Sequence, residues 1–319
     1  MNNKTFTLLA LAALSTGSLS ARGEYDEIAR LQAMNERVQG IRSMADGEHY
    51  TTLENNDIRR YAYATASEGV SLLPSPAPNL AISDYAFSPD ERMILIASGR
   101  TPIYRHSYTT QYHLLADGRI RPVLQEAEAP RDASFSPDGR KIAYSDRNDL
   151  YVWDIATGKT QRITDDGAWN AVINGTTDWV YEEEFGTTRA YAFSPDGGQL
   201  AFLRFDESEV PLMEMMRFDG KLYNEAYSFK YPKAGEKNSA VQLWVADLAT
   251  GKKHRIDTGG ETDQYIPRIG YTPTDGCGST ASTAARTPSK WCCASLTAAS
   301  ASSTRSARSS MSSAWTTAR

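Results

Sequence analysis

The stretch Phe135-Ser136-Pro137-Asp138-Gly139, followed by Lys141-Ile142-Ala143-Tyr144, decides how this chain folds, because the sequence repeats it. Phe87-Ser88-Pro89-Asp90 precedes Met93-Ile94-Leu95-Ile96, and Phe193-Ser194-Pro195-Asp196-Gly197 precedes Gln199-Leu200-Ala201-Phe202. Proline sets φ at the second position of a turn and glycine accepts positive φ, so each phrase predicts a hairpin leading into an apolar strand. A second phrase follows within the unit. Tyr151-Val152-Trp153-Asp154-Ile155-Ala156-Thr157-Gly158-Lys159 recurs as Trp244-Val245-Ala246-Asp247-Leu248-Ala249-Thr250-Gly251-Lys252, again a strand, a turn and the start of another strand.

Repeats of roughly 40–60 residues that each offer four short strands are the signature of β-propeller blades, which bury their faces only against neighbouring blades. The expected fold is therefore all-β: a partial β-propeller of about four blades and the start of a fifth. The blades are placed near 55–80 and from 84, 132 and 190, with the fifth opening at Tyr265. Between Tyr25 and Met44 the apolar spacing of Ile28, Leu31, Met34, Val38 and Ile41 predicts a short helix before the propeller, and everything after it reads as strands. Phe87 and Phe135 lie 48 residues apart but Phe135 and Phe193 lie 58 apart, so the excess sits in insertions. These are 100–112, 165–190 and 206–238, and function is sought there.

The 319 residues carry a net charge of −5, which leaves no basic field to hold nucleic acid. That average hides a break in composition. Residues 277–319 contain 12 Ser, 7 Thr and 10 Ala with no Asp or Glu, and all three cysteines; residues 1–276 hold 29 basic against 39 acidic side chains. The first 276 residues thus have no thiol for a disulfide or a zinc site. At the other end Lys4, the apolar run 6–14 and Ser18-Leu19-Ser20 read as an export signal, too short to span a bilayer. The expected organisation is a signal peptide over 1–20, a helical segment and lead-in over 21–54, the propeller over 55–276 and a disordered tail over 277–319. The mature protein is expected to be periplasmic or extracellular and free of the membrane. The tail also reads as a shifted frame: the codons of Lys290-Trp291-Cys292-Cys293, displaced by one base, spell Val or Met, Val and Leu, a strand-like triplet where a blade strand is due. A low-complexity linker is the other reading.

The densest charge is Asp178-Trp179-Val180-Tyr181-Glu182-Glu183-Glu184-Phe185, in the second insertion. Three adjacent carboxylates fit a solvated acidic turn. They also fit an ammonium site, where two carboxylates on one –NH₃⁺ give charge-assisted hydrogen bonds. A glycosidase pair needs carboxyls about 5–9.5 Å apart across a cleft, which neighbours in sequence rarely supply. In the first insertion, Tyr104-Arg105-His106-Ser107-Tyr108 offers a cation among aromatics. Arg105 suits a peptide carbonyl or carboxylate, or a surface ion pair, and His106 suits packing. Gly-x-Ser-x-Gly, His-Glu-x-x-His, P-loop and Gly-x-Gly-x-x-Gly motifs are absent from the sequence, and the four histidines lack metal-ligand spacing. No catalytic residue, metal or cofactor is assigned.

Four stretches carry a family likeness: Asn174 through Glu184, Tyr104 through Tyr108, Phe205-Asp206-Glu207-Ser208-Glu209-Val210-Pro211, and Tyr231-Pro232-Lys233-Ala234-Gly235. Together, and in the right order along the chain, they closely resemble the N-terminal propeller of a bacterial dipeptidyl-peptidase IV, of the prolyl oligopeptidase family, and the likeness runs from about Glu27 to Thr274. The resemblance implies a serine exopeptidase that releases N-terminal X-Pro or X-Ala dipeptides, with an eight-bladed propeller capping a hydrolase domain and intact members forming homodimers. It implies that Glu183 and Glu184 clamp the substrate's free amine and that Arg105 contacts its backbone carbonyl. The partner is then a peptide N-terminus. The 319 residues supply part of that recognition face and no nucleophile, so the chain by itself is expected to be inactive and, with an open blade edge, prone to aggregate. The competing reading is a non-catalytic exported propeller used as a binding scaffold, weakly supported by Trp153-Asp154.

Overall fold

A computed structural model of the chain describes residues 39–65, 68–74, 79–218, 220–260, 263–271, 276–283 and 290–295. The helix expected over 25–44 falls mostly outside these residues, as do the export signal and most of the tail. The chain divides into two compact units, at Leu72/Leu73. In the first unit, β1 (Gln39–Ser43), β2 (His49–Glu54), β3 (Asp57–Ala62) and β4 (Val70–Ser71) form an antiparallel meander. The first blade therefore begins at Gln39, within the segment expected to be helix and lead-in. Ile41, the last residue of the helical stripe, lies on β1, whose Gln39 pairs with Leu53 and Arg42 with Thr51.

In the second unit the repeated phrases make the hairpins they predict. β5 (Ile82–Phe87), β6 (Ile94–Pro102), β7 (Tyr108–Ala116) and β8 (Arg119–Val123) form one blade in that order. The next comprises β9 (Pro130–Phe135), β10 (Lys141–Asp146), β11 (Asp149–Asp154) and β12 (Thr160–Arg162). In the following blade β13 (Val172–Asn174) and β14 (Tyr191–Phe193) share one edge of β15 (Gln199–Asp206), whose other edge pairs with β18 (Ala240–Asp247) and then β19 (Lys253–Ile256). The loop between β15 and β18 rises as a separate hairpin, β16 (Leu212–Arg217) with β17 (Glu225–Lys230). Where the tail's composition predicts disorder, β21 (Gly276–Thr283) and β22 (Lys290–Ser295) pair with β20 (Gln264–Tyr271) as a three-stranded sheet. Strand pairing uses main-chain N–H and C=O groups, which a Ser/Thr/Ala segment possesses like any other.

Each Ser-Pro-Asp turn is closed by its own serine. Ser88, Ser136 and Ser194 donate to Asp90, Asp138 and Asp196 at 2.7, 2.6 and 2.5 Å. The same hydroxyls accept the N–H of Met93, Lys141 and Gln199 at 2.8–2.9 Å. Gly139 and Gly197 sit at φ +69°, and in the first repeat Glu91 takes that left-handed place at φ 57°. An L-residue there carries about 1–2 kcal/mol of strain. Part of the relief from glycine is offset by its freer unfolded chain, so Glu91→Gly is expected to stabilise the protein by about 0.5–1 kcal/mol. Urea denaturation reads this as a higher midpoint; an unchanged or lower midpoint contradicts it.

Central strands face two neighbours at once, which explains their near-continuous apolar runs. On β10, Ile142 and Tyr144 join Leu95, Leu114 and Val123 of the preceding blade. Ala143, between them, faces the other way with Leu200, Phe202 and Ala246 of the following one. On β15, Ala201, Leu203 and Phe205 in turn pack towards Ile266 on β20. Alternation with period two thus buries both faces of these two sheets between successive blades of the second unit, the arrangement of a partial β-propeller. Polar ties cross the same gaps: Tyr191 Oη donates to Ala143 O at 2.8 Å, and Lys141 Nζ to Gly197 O at 3.3 Å.

Candidate functional site

The second insertion leaves β13 and returns on β14, and it holds a feature that the strand reading overlooks. Residues Trp179–Phe185 form a short α-helix, α1. Asp178 caps it, accepting the Tyr181 N–H at 2.9 Å and the Ser239 hydroxyl at 2.6 Å. Gly186 ends it in the left-handed conformation, its N–H returned to Tyr181 O. Burial pushes the Asp178 carboxyl upward, against those two hydrogen bonds, which favour its charged form. The helix is held to β20 by Tyr181 Oη, which accepts the Ile266 N–H at 2.7 Å, and by Arg268, which donates to Phe185 O at 3.0 Å.

About 100° of rotation per residue sends the three adjacent glutamates in three directions. Glu182 is buried, and its Oε1 accepts the backbone N–H of His106 at 2.6 Å and of Ser107 at 2.8 Å. Glu183 is half-buried, with Oε2 at 3.1 Å from Nε of the exposed Arg105. Glu184 is exposed and makes no hydrogen bond or ion pair among the described residues. The helix has no basic residue of its own in its last turn; the cation that meets its C-terminal end is Arg268, from β20.

Two carboxylates and one guanidinium leave this patch one charge short of neutral, the charge that an ammonium carries. Arg105 spends Nε on Glu183, and its remaining N–H groups can meet a carbonyl oxygen. The loop bearing it is closed by Ile103 N–H to Ser107 O at 2.9 Å and Tyr104 N–H to the Ser107 hydroxyl at 3.3 Å. His106, expected to pack, is exposed instead, and its carbonyl accepts Arg100 at 3.4 Å.

Aromatic contacts gather the other motif stretches here. Tyr104 lies between Trp169 and Phe229, with ring centroids 6.4 and 5.5 Å away, and Trp179 lies 4.2 Å from Tyr231. The Glu207 N–H donates to Ala171 O at 2.8 Å, tying the Phe205–Pro211 stretch to the residue just before β13. Arg105 and Glu183, both singled out in the sequence, are thus brought together, with Glu184 next in the chain. The part played by Glu182 was not legible; the cap signals, Asp178 and Gly186 around seven residues, could have revealed the helix.

The family described as the dipeptidyl peptidase IV (DPP IV) N-terminal region matches residues 88–319. The chain belongs to this family. Its curated relatives include dipeptidyl peptidase 4 of Trichophyton rubrum, 40% identical over 199 residues that make up 59% of this chain and 25% of that protein. Dipeptidyl peptidase 4 of Sus scrofa is 36% identical over 215 residues, 65% of this chain and 28% of that one. Among solved structures, Porphyromonas gingivalis dipeptidyl peptidase 4 superposes with a TM-score of 0.75 at 36% identity, covering 80% of this chain and 38% of that one. The chain therefore spans about a quarter of the length of these curated relatives.

Proposed function

We propose that this chain is the substrate-recognition propeller of an exported, bacterial serine exopeptidase of the dipeptidyl-peptidase IV type, and that it binds the free N-terminus of a peptide. One observation carries the reading: Arg105 Nε stands 3.1 Å from Glu183 Oε2, with the unengaged Glu184 next along the helix. Glu183 and Glu184 take the ammonium and Arg105 takes a backbone carbonyl of the same peptide. An extended residue spans about 3.3–3.6 Å, so an amine held at a fixed place sets which peptide bond reaches a nucleophile beyond it. Gly-x-Ser-x-Gly does not occur in the 319 residues, so their part is binding rather than bond cleavage. The Leu212, Met215, Met216, Phe218, Leu222 and Tyr223 side chains are exposed on or beside the β16–β17 hairpin, an apolar surface suited to the homodimer that the family likeness implies.

A generic binding scaffold has no use for this charge arrangement, and amine dependence separates the two readings. Calorimetric titration of the 319-residue protein with Gly-Pro-Ala and with its N-acetylated form is expected to show at least about tenfold weaker binding of the blocked peptide, the worth of one charge-assisted contact. Glu183→Gln with Glu184→Gln is expected to abolish that difference. Equal affinity for the two peptides in the unaltered protein overturns the proposal.

A further inference from the structure

Two carboxylates suffice for an ammonium, yet the helix presents three in a row. We propose that Glu182 is a positioning residue: it locks the loop that carries Arg105 to the helix that carries Glu183, so that the two halves of the peptide site form one unit. The inference rests on the peptide-binding reading above.

The geometry is specific. Glu182 is 1% exposed, and one of its carboxylate oxygens receives two successive main-chain N–H groups, from His106 and Ser107, at 2.6 and 2.8 Å. A carboxylate is buried at a large cost unless such donors meet it, and hydrogen bonds to an ionised acceptor are roughly twice as strong as neutral ones. The tie joins residues 75 and 76 positions apart, from the β6–β7 hairpin to the insertion between β13 and β14. Arg105 immediately precedes the two tied amides. Its side chain is 73% exposed, so packing does not hold it in place. What remains is its backbone, which Glu182 ties to α1 on one side while the neighbouring Tyr104 packs on Trp169 and Phe229, and Glu183, which draws in Nε. The loop's own closures, between Tyr104 or Ile103 and Ser107, shape the turn but do not connect it to α1. Adjacent helical residues thus divide the labour: one holds the loop, the next meets the loop's arginine, and the third is left open to solvent.

The test uses the 319-residue protein with Glu182→Gln, which keeps an acceptor oxygen at nearly constant volume, and Glu182→Leu, which removes it. Hydrogen exchange reads the tie directly. The His106 and Ser107 amides are expected to exchange about a hundredfold faster in the Leu variant and about tenfold faster in the Gln variant, while β10 keeps its protection. Titration with Gly-Pro-Ala reads the positioning. The Leu variant is expected to bind about tenfold more weakly, the Gln variant within about threefold of the parent, and Arg105→Ala to add nothing further to the Leu variant, because both changes remove the same contact.

Retained protection at His106 and Ser107 in the Leu variant overturns the inference, as do Leu and Arg105→Ala losses that multiply. Should the Leu variant fail to fold, unchanged exchange of the two amides in the isosteric Gln variant is the overturning result. Absence of binding by the unaltered protein sinks the peptide reading itself, and Glu182's positioning role with it. That outcome is distinct from binding that is present but insensitive to Glu182.

Discussion

Tyr181→Ala is expected to lower the unfolding free energy of the unit from Leu73 onward by about 3–5 kcal/mol, the usual range for emptying a buried aromatic site. The ring is 2% exposed and meets Phe205 edge-on at 4.8 Å, Phe185 at 5.1 Å and Tyr265 at 5.9 Å. It therefore fills the space between β15, α1 and β20. Burial pushes its phenol well above the ordinary value, so the hydroxyl is neutral at every relevant pH and accepts the N–H of Ile266, which is itself 0% exposed. Tyr181→Phe keeps the packing and strands that one donor, with an expected loss of about 1–3 kcal/mol. The two variants separate the cavity from the hydrogen bond. Urea denaturation followed by tryptophan fluorescence measures both; a loss below about 1 kcal/mol for the alanine variant would show that the ring is not what fastens the helix. The site should suffer with the fold, since the residues after Tyr181 on the same helix are Glu182, Glu183 and Glu184.

What the sequence revealed and what it concealed divide along the range of the interactions. The Ser-Pro-Asp turns were legible because all their chemistry is local: Ser136 bonds Asp138 and Lys141, two and five residues away. The alternating strands were legible because burial on both faces leaves apolar runs such as Leu200 to Leu203. Helix α1 was concealed because seven residues make fewer than two turns, too few for an apolar stripe to repeat. At the other end the stripe from Ile28 to Ile41 suggested helix up to Met44, yet pairing with β2 draws Gln39–Ser43 into a sheet. Tertiary pairing outweighs a weak local preference. Charge density marked the glutamates and motif likeness marked Arg105. That Glu182 turns away from Glu183 to hold the arginine loop depends on helical rotation and on a partner 75 residues distant, and no pattern in either stretch encodes it.

Glu207→Gln is expected to stabilise the protein at pH 8 by up to about 3 kcal/mol while changing little at pH 4.5. Glu207 follows β15 and is 5% exposed, with its main chain engaged by Ala171 and Val210. Burial, reinforced by the nearby Asp178 carboxylate and to a smaller degree Asp206, raises its carboxyl from an ordinary 4.5 to about 7; the Lys230 and Arg131 cations pull the other way without prevailing. Tyr104 shares this environment, its phenol raised mainly by burial and then by Glu207. A carboxyl whose folded value lies above its unfolded one retains a proton that the unfolded chain has released. Between pH 4.5 and 7 the folded state therefore binds more protons, and stability falls as pH rises across that window. Each pH unit is worth about 1.4 kcal/mol for one such group, which sets the size of the effect. Glutamine mimics the protonated acid at all pH values, so the variant should lack this component of the slope. Asp178, raised in the same direction, stays in both proteins and leaves a residual slope of the same sign. Parallel urea titrations at pH 4.5, 6 and 8 decide the matter: converging stabilities at low pH and diverging ones at high pH are expected, whereas a constant offset across the range, or a variant less stable at pH 8, would place the Glu207 charge in a solvated or fully compensated setting. Because Glu207 lies in the motif stretch tied by its N–H to Ala171 O, at the start of the insertion carrying α1, its ionisation in this window acts on the scaffold of the candidate site.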